Sequence, residues 1–273
     1  MKKIIFLISF FFSLLLSSCE EVVNVDLDTA APRLVIEANI MWIKGGSGNA
    51  QKIKLTTTTG YYDTEIPIVT GATVFIKNSE NRIFNFAEIP DTGEYGCTDF
   101  VPKIGENYTL TIINDGETYT ASETFQSLAP ITRIEQNNEG GFTGKDIEIK
   151  AYFNDPEGEN NYYLYQYQYP NETTVSYNVD EDRFFQGNEF FSRSQKDDIK
   201  KGDAIELAHF GISKQYYNYM NILIGIAGNN SGGPFQTAPA TVRGNISNST
   251  NPKNFPLGYF SLGEADLRRY VIQ

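Results

Sequence analysis

One histidine, His209, and two cysteines, Cys19 and Cys97, are the whole supply of imidazole and thiol in a chain of 273 residues. Multi-histidine zinc sites are thereby excluded, and any Ser-His or Cys-His nucleophile would rest on His209 alone. His209 falls in Ala204-Ile205-Glu206-Leu207-Ala208-His209-Phe210, in phase with Ile205 and Leu207 of an alternating strand pattern. A packed or edge-strand histidine fits that phase better than a catalytic base. Cys97 closes the strand-like stretch Gly93-Glu94-Tyr95-Gly96-Cys97, which favours a small buried hydrophobe over a nucleophile. Carboxylates are plentiful, Asp180, Glu181, Asp182, Asp197 and Asp198 among them. A glycosidase needs two carboxyls about 5 to 10 Å apart across a cleft. With 34 acidic residues, chance neighbours are expected, so the acids alone give no reason to infer an enzyme. Asp155-Pro156-Glu157-Gly158-Glu159-Asn160 crowds oxygens that would suit calcium, but it lacks the Asp-x-Asp-x-Asp-Gly spacing of an EF-hand and reads as a β-turn. The expectation is a protein without catalytic residues, metal ligands or cofactor.

Covalent chemistry is expected at Cys19. Lys2 and Lys3 form a positive start, Ile4 to Leu16 an uncharged, largely apolar run, and Leu16-Ser17-Ser18-Cys19 closes it with small residues and a cysteine. This ending resembles the lipobox of bacterial lipoproteins, whose cysteine is acylated after cleavage. Residues 1–18 then form a signal peptide and 19–32 an anchor and linker. The apolar run is shorter than the roughly 20 residues that span a bilayer, so the mature chain is expected to be anchored to a membrane rather than threaded through it. Glu20, Glu21, Asp26 and Asp28 follow closely and resemble the acidic export signals of surface-displayed Bacteroidota lipoproteins. With Cys19 acylated, Cys97 has no disulfide partner.

The formal net charge is −12, and loss of Lys2 and Lys3 makes it more negative still. Such a surface repels phosphate backbones and argues against nucleic acid as a partner. Aromatics make up 14% of the residues and hydrophobics 40%, enough for a sizeable core.

Positioning falls to β-strands. Arg33 to Met41, Gln51 to Thr57, Ala72 to Asn78, Tyr95 to Phe100, Asn107 to Ile113 and Thr118 to Phe125 are short β-branched or aromatic runs bounded by turn residues. Gly45 to Asn49, Asp91-Thr92-Gly93 and Asn114-Asp115-Gly116 supply turns between antiparallel strands. About seven such strands indicate a mainly β fold, an immunoglobulin- or fibronectin-like β-sandwich over 33–127. Ser127 to Pro130 is a junction into a second β-rich half, 128–273. There Asp146 to Phe153 alternates as a strand, and Tyr163, Tyr165, Tyr167 and Tyr169 share one face of another. Those four rings could stack on sugars, but core packing fits better because one face of each strand must be buried. From Asn178 to Lys201 the periodicity fails, which reads as a long loop. Its Phe184, Phe185, Phe190 and Phe191 form either a partner-contact patch or a tucked satellite core. One amphipathic helix near 213–228 is expected, capped by Ser213, stapled by Ile212 and Tyr217, and ended by Gly228. Leu257 to Leu262 and Arg269 to Ile272 return to strand.

Leu34-Val35-Ile36-Glu37-Ala38-Asn39-Ile40, Gly71-Ala72-Thr73-Val74, Gly93-Glu94-Tyr95, Gly105-Glu106-Asn107-Tyr108-Thr109-Leu110 and Leu257-Gly258-Tyr259-Phe260 resemble DUF4249, a family of Bacteroidota outer-membrane lipoproteins. The similarity spans nearly the whole mature chain and consists mostly of turns and strand starts. It implies an accessory role beside a TonB-dependent outer-membrane transporter, at the cell surface, and supplies no catalytic residues. The combined expectation is an acyl-anchored, non-enzymatic capture subunit of such a transporter, with a glycan or peptide as ligand. The alternative is a structural or adhesive envelope lipoprotein with no transport role.

Overall fold

In β1 (Leu34–Ile43) side chains alternate, with Leu34, Ile36, Ala38 and Ile40 buried and Val35, Glu37, Asn39 and Met41 on the opposite face. The computed structural model describes residues 31–141, 144–170, 172–227 and 242–273. Residues 32–59 and 63–273 form one compact unit, which contains every element named below. In the other unit, the rings of Tyr61 and Tyr62 meet edge to face at 5.1 Å. Cys19, Gly228 and the acidic run after the leader lie outside the described residues.

β1 is followed by β2 (Gln51–Thr57), β3 (Thr73–Asn78), β4 (Ile83–Ile89), β5 (Glu94–Cys97), β6 (Asn107–Asn114) and β7 (Glu117–Thr124). They pair in the order β1-β2-β5 and β4-β3-β6-β7, and β4 also bridges to β5. Asp115 and Gly116 take φ of 49° and 78°, so both central residues of the β6–β7 hairpin are left-handed, as a two-residue turn matched to strand twist requires. Ile53, Leu55, Ile76, Phe84, Tyr95 and Tyr108 are among the side chains that fill the first core.

The second half repeats this plan. β8 (Ile131–Gly140), β9 (Asp146–Asn154), β10 (Tyr162–Gln168), β11 (Ser176–Glu181), β12 (Glu189–Lys196), β13 (Ala204–Ile212) and β15 (Leu257–Val271) pair as β8-β9-β12 and β11-β10-β13-β15. Counted from its own first strand, each set places strands 1, 2 and 5 in one layer and 4, 3, 6 and 7 in the other. The chain is therefore two successive immunoglobulin/fibronectin-like sandwiches. The sixth and seventh strands of the second are separated by an insertion carrying α1 (Lys214–Ala227) and β14 (Ser247–Asn248), which pairs with β7.

Sequence alternation marks two separate strand segments near the C-terminal end, and the structure joins them into β15. Residues Leu257 to Ala265 pair in parallel with β1, and Ala265 to Val271 pair antiparallel with β13. One face of β15 gives Phe260 and Leu262 to the first core and Ile272, just beyond the strand, to the second. Between them stand two buried acids. Glu264 accepts bonds from the Leu128 N–H and Lys44 Nζ, both at 2.9 Å, and Asp266 accepts from the Ile131 N–H at 2.8 Å. The junction segment is thus tied to the shared strand. It packs closely against Gly211, where a Cβ would meet the Ser127 carbonyl oxygen at 2.0 Å.

The stretch Asn178–Lys201 is not a long loop. It contains the end of β11, a single 3-10 turn at Asp182–Phe184, and β12. Both strands lie at sheet edges, where paired backbone on one side suffices and the hydrophobic alternation weakens. The four phenylalanines are accordingly dispersed. Phe185 is buried, its ring stacked on Phe190 at 3.7 Å, and both pack into the second core. Phe191 lies against Tyr152 and Lys150, while Phe184 is 85% exposed. No shared patch of four rings exists.

Candidate functional site

Ser213 starts α1 by accepting the Tyr216 N–H on its Oγ at 3.2 Å, and the same hydroxyl donates to Glu123 Oε2 at 2.9 Å. The helix start is thereby fixed to the end of β7. Burial raises the Glu123 carboxyl pKa above the ordinary value, while bonds from the Thr124 N–H and Ser213 oppose the shift. Ile212 and Tyr217 join the hydrophobic cluster under the helix, where Tyr217 meets Tyr162 at 5.4 Å. Tyr216 and Met220 point inward, and Tyr216 donates to Asn39 Oδ1 at 3.2 Å, which also accepts from Ser261 Oγ.

Between α1 and the sheet lies a groove of about 1200 Å³. Its floor is the outward face of β1, including Val35, Glu37, Asn39 and Met41, with Leu257 and Tyr259 from β15. Gln166 and Tyr177, bonded to each other at 3.1 Å, form part of the wall toward β11. Tyr219 meets Tyr259 at 4.9 Å and Tyr216 at 6.1 Å, so three rings cluster beneath the helix. Burial raises the pKa of all three hydroxyls, keeping them neutral donors. A smaller recess of about 570 Å³ lies against α1 at Gln215, Asn218, Arg243 and Asn245. Ring faces with amides and one carboxylate can bind a polar molecule that has apolar faces.

The residues weighed for catalysis lie elsewhere. His209 is buried in the second core, with ring centroids 4.6 Å from Phe153, 4.9 Å from Tyr165 and 5.1 Å from Tyr163. Burial lowers its pKa to about 3, and its Nε2 has no hydrogen-bond partner among the described residues. Cys97 is buried in the first core, with Sγ 3.1 Å from Asp99 Oδ1, and burial raises the thiol pKa. The Tyr163, Tyr165, Tyr167 and Tyr169 face is core. Tyr163 donates to Asp155, while Tyr167 and Tyr169 bond Ser192 and Ser194. Asp155 also accepts the Gly187 N–H, so protein donors occupy both carboxyl oxygens. Among the described residues, no group of three or more His, Cys, Asp or Glu is placed to hold a metal ion. No helix among them is long and apolar enough to cross a membrane. Asp180 of β11 faces the second core, and burial pushes its pKa up to about 6.

Sequence reading anticipated the helix and its cap but not the groove. The groove's floor comes from the solvent-side phase of β1, whose mixture of Val, Glu, Asn and Met carries no binding signature.

A family model described as "Domain of unknown function (DUF4249)" matches residues 20–269. The chain belongs to the DUF4249 family. No curated protein sequence matches this DUF4249 chain at a significant level. Solved structures similar to it include a two-fibronectin type-III segment from chicken tenascin, 11% identical with TM-score 0.22, covering 66% of this chain and 90% of that one. Another is a cytokine receptor complex, 7% identical with TM-score 0.25, covering 87% and 95%. The fold assignment rests on the two strand orders rather than on these superpositions.

Proposed function

We propose that this DUF4249 chain is an acyl-anchored lipoprotein of the outer-membrane surface that serves a TonB-dependent transporter as a non-enzymatic accessory or substrate-capture subunit. The groove beneath α1 carries the capture role. Its tyrosine rings suit the apolar faces of sugars or peptide side chains, and Glu37, Asn39 and Gln166 supply polar contacts, so the ligand class is a glycan or peptide. Anchoring is supported by the leader ending at Cys19 and by the family match, which begins at the next residue. A binding role is further supported by the core positions of His209 and Cys97, which leave both away from the groove.

A gentle detergent pull-down of the tagged native protein, with mass spectrometry of its companions and protease shaving of intact cells, tests the reading. A stoichiometric TonB-dependent barrel with shaving sensitivity is expected. Recovery of the protein alone and protease-protected would refute it and favour a structural envelope role, for which two fused sandwiches are also suited.

A further inference from the structure

Between Lys214 and Arg243 the chain carries no charged residue, although charged residues are 21% of the whole and the net charge is −12. Along this run α1 changes character. Its first half holds Tyr216, Tyr217 and Tyr219, and its second half holds Ile222, Leu223 and Ile224. Ile222 and Leu223 are 55% and 36% exposed, so the aliphatic half is apolar well beyond the face it buries. The helix starts beside Asn39, in the middle of β1, and its last turn shares the groove with Val35 and Leu257, near the starts of β1 and β15. The aliphatic end therefore lies toward the end of the compact unit at which β1 begins.

Cations gather at that same end. The Arg33 and Arg243 guanidinium carbons lie 4.0 and 3.7 Å from the centroid of the Phe255 ring, and exposed Lys253 is two residues away. None of the three forms an ion pair among the described residues, whereas the molecule as a whole is strongly acidic.

We propose that this end rests on the lipid bilayer, with Ile222 and Leu223 among the acyl chains and Arg33, Arg243 and Lys253 against the headgroup phosphates. The proposal deepens the anchoring reading and rests on acylation of Cys19. An acyl anchor attaches the chain to the membrane at one point, and one point of attachment does not by itself fix an orientation. A second, surface contact supplies the orientation. An aliphatic tip matches the hydrocarbon, and cations without an ion pair among the described residues match anionic headgroups. Docking on a protein would explain the apolar tip, but it would leave the cations near the start of β1 without a role.

The test uses the acylated protein carrying Trp42→Phe and Leu223→Trp, reconstituted in phosphatidylethanolamine and phosphatidylglycerol vesicles with brominated acyl chains. Mass spectrometry of Cys19 accompanies it. The indole placed by Leu223→Trp is expected to lose most of its emission to bromine, as is one placed by Ile222→Trp. An indole placed by Leu267→Trp, exposed toward the far end of β15, should lose none. Adding Arg33→Glu and Arg243→Glu should restore most of the emission. Acylated protein whose 222 and 223 variants both stay unquenched overturns the lipid contact but leaves the anchoring reading intact. Capture of a β-barrel by a photo-crosslinker at position 223 in cells, with no quenching in vesicles, overturns it in favour of a protein dock. An unmodified Cys19 overturns the anchoring reading itself.

Discussion

Replacing His209 with leucine should make the protein resist acid. In the folded chain His209 is surrounded by Phe153 of β9 and by Tyr163 and Tyr165 of β10. Across β15 the register places Asp266 opposite it, but that carboxylate is engaged by the Ile131 N–H and Arg268. Burial therefore dominates and lowers the imidazole pKa from 6.5 to about 3. The unfolded chain binds a proton near pH 6.5 and the folded chain resists it, so stability is intact above pH 6.5 and falls as pH drops toward 3. At about 1.4 kcal/mol per pH unit, the loss reaches roughly 2 kcal/mol by pH 5, 3–4 kcal/mol by pH 4, and 4–5 kcal/mol in full. Urea unfolding at pH 7, 5 and 4 measures it as the gap between wild type and His209→Leu. The variant should match or exceed wild type at pH 7, because it removes a buried nitrogen that has no partner. Its advantage should then widen by about 2 kcal/mol at pH 5. Parallel profiles for the two proteins from pH 7 to 4 would refute the assignment of His209 as a buried neutral base.

Asp180 has the opposite sign. Its folded pKa, pushed up to about 6, favours the protonated acid, so its contribution is greatest below pH 4 and is lost as pH rises through 6. Asp180→Asn should stabilise the protein by about 1–2 kcal/mol at pH 8, a figure reduced because the carboxylate is partly solvated, and by nothing at pH 4. Guanidinium titrations at both pH values check this. Glu264→Ala leaves the buried Leu128 N–H without its acceptor and should cost about 2–3 kcal/mol by urea unfolding, with new protease cleavage near residues 127–130. Gly211→Ala forces a Cβ against the Ser127 carbonyl oxygen and should cost more than about 3 kcal/mol. Gly225→Ala meets nothing within 4 Å in α1 and should add about 0.5–1 kcal/mol, both measured by thermal melts.

Local signals revealed those elements whose burial is one-sided and whose ends carry turn chemistry. β2 alternates cleanly from Gln51 to Leu55, and Ser213 stands before a helical period, so both elements were readable from local pattern. The tyrosine strand was readable as core because Tyr163, Tyr165 and Tyr167 share one phase. β11 and β12 were obscured because edge strands pair on one side and tolerate charge and aromatics in either phase. β15 was obscured for a different reason. Gly263-Glu264-Ala265-Asp266 looks like a solvated break, yet its two acids are buried against backbone N–H groups that only the tertiary structure brings near. The repeat of strand order was hidden by the insertion between β13 and β15, which stretches the last connection of the second sandwich.

That insertion also explains why the groove belongs where it is. Two sandwiches joined by a flexible linker would move against each other by default. Here β15 is parallel to β1 over one stretch and antiparallel to β13 over the next, so rotation at the junction would break ladders in both halves. Glu264 and Asp266 hold the linker to the same strand, which closes the remaining freedom. A binding surface carried by a hinge between the halves is therefore not available to this fold. α1 instead spans the junction from outside, tied to β7 through Ser213 and Glu123 and to β1 through Tyr216 and Asn39. Its groove takes its floor from β1 and β15 and its wall from β10 and β11, so both sandwiches contribute to one rigid site. Any adjustment on ligand capture there falls to α1 or to side chains alone. Amide exchange should accordingly slow in α1 on ligand binding while β1 and β15 stay unchanged, whereas slowing across β15 would show that the junction moves.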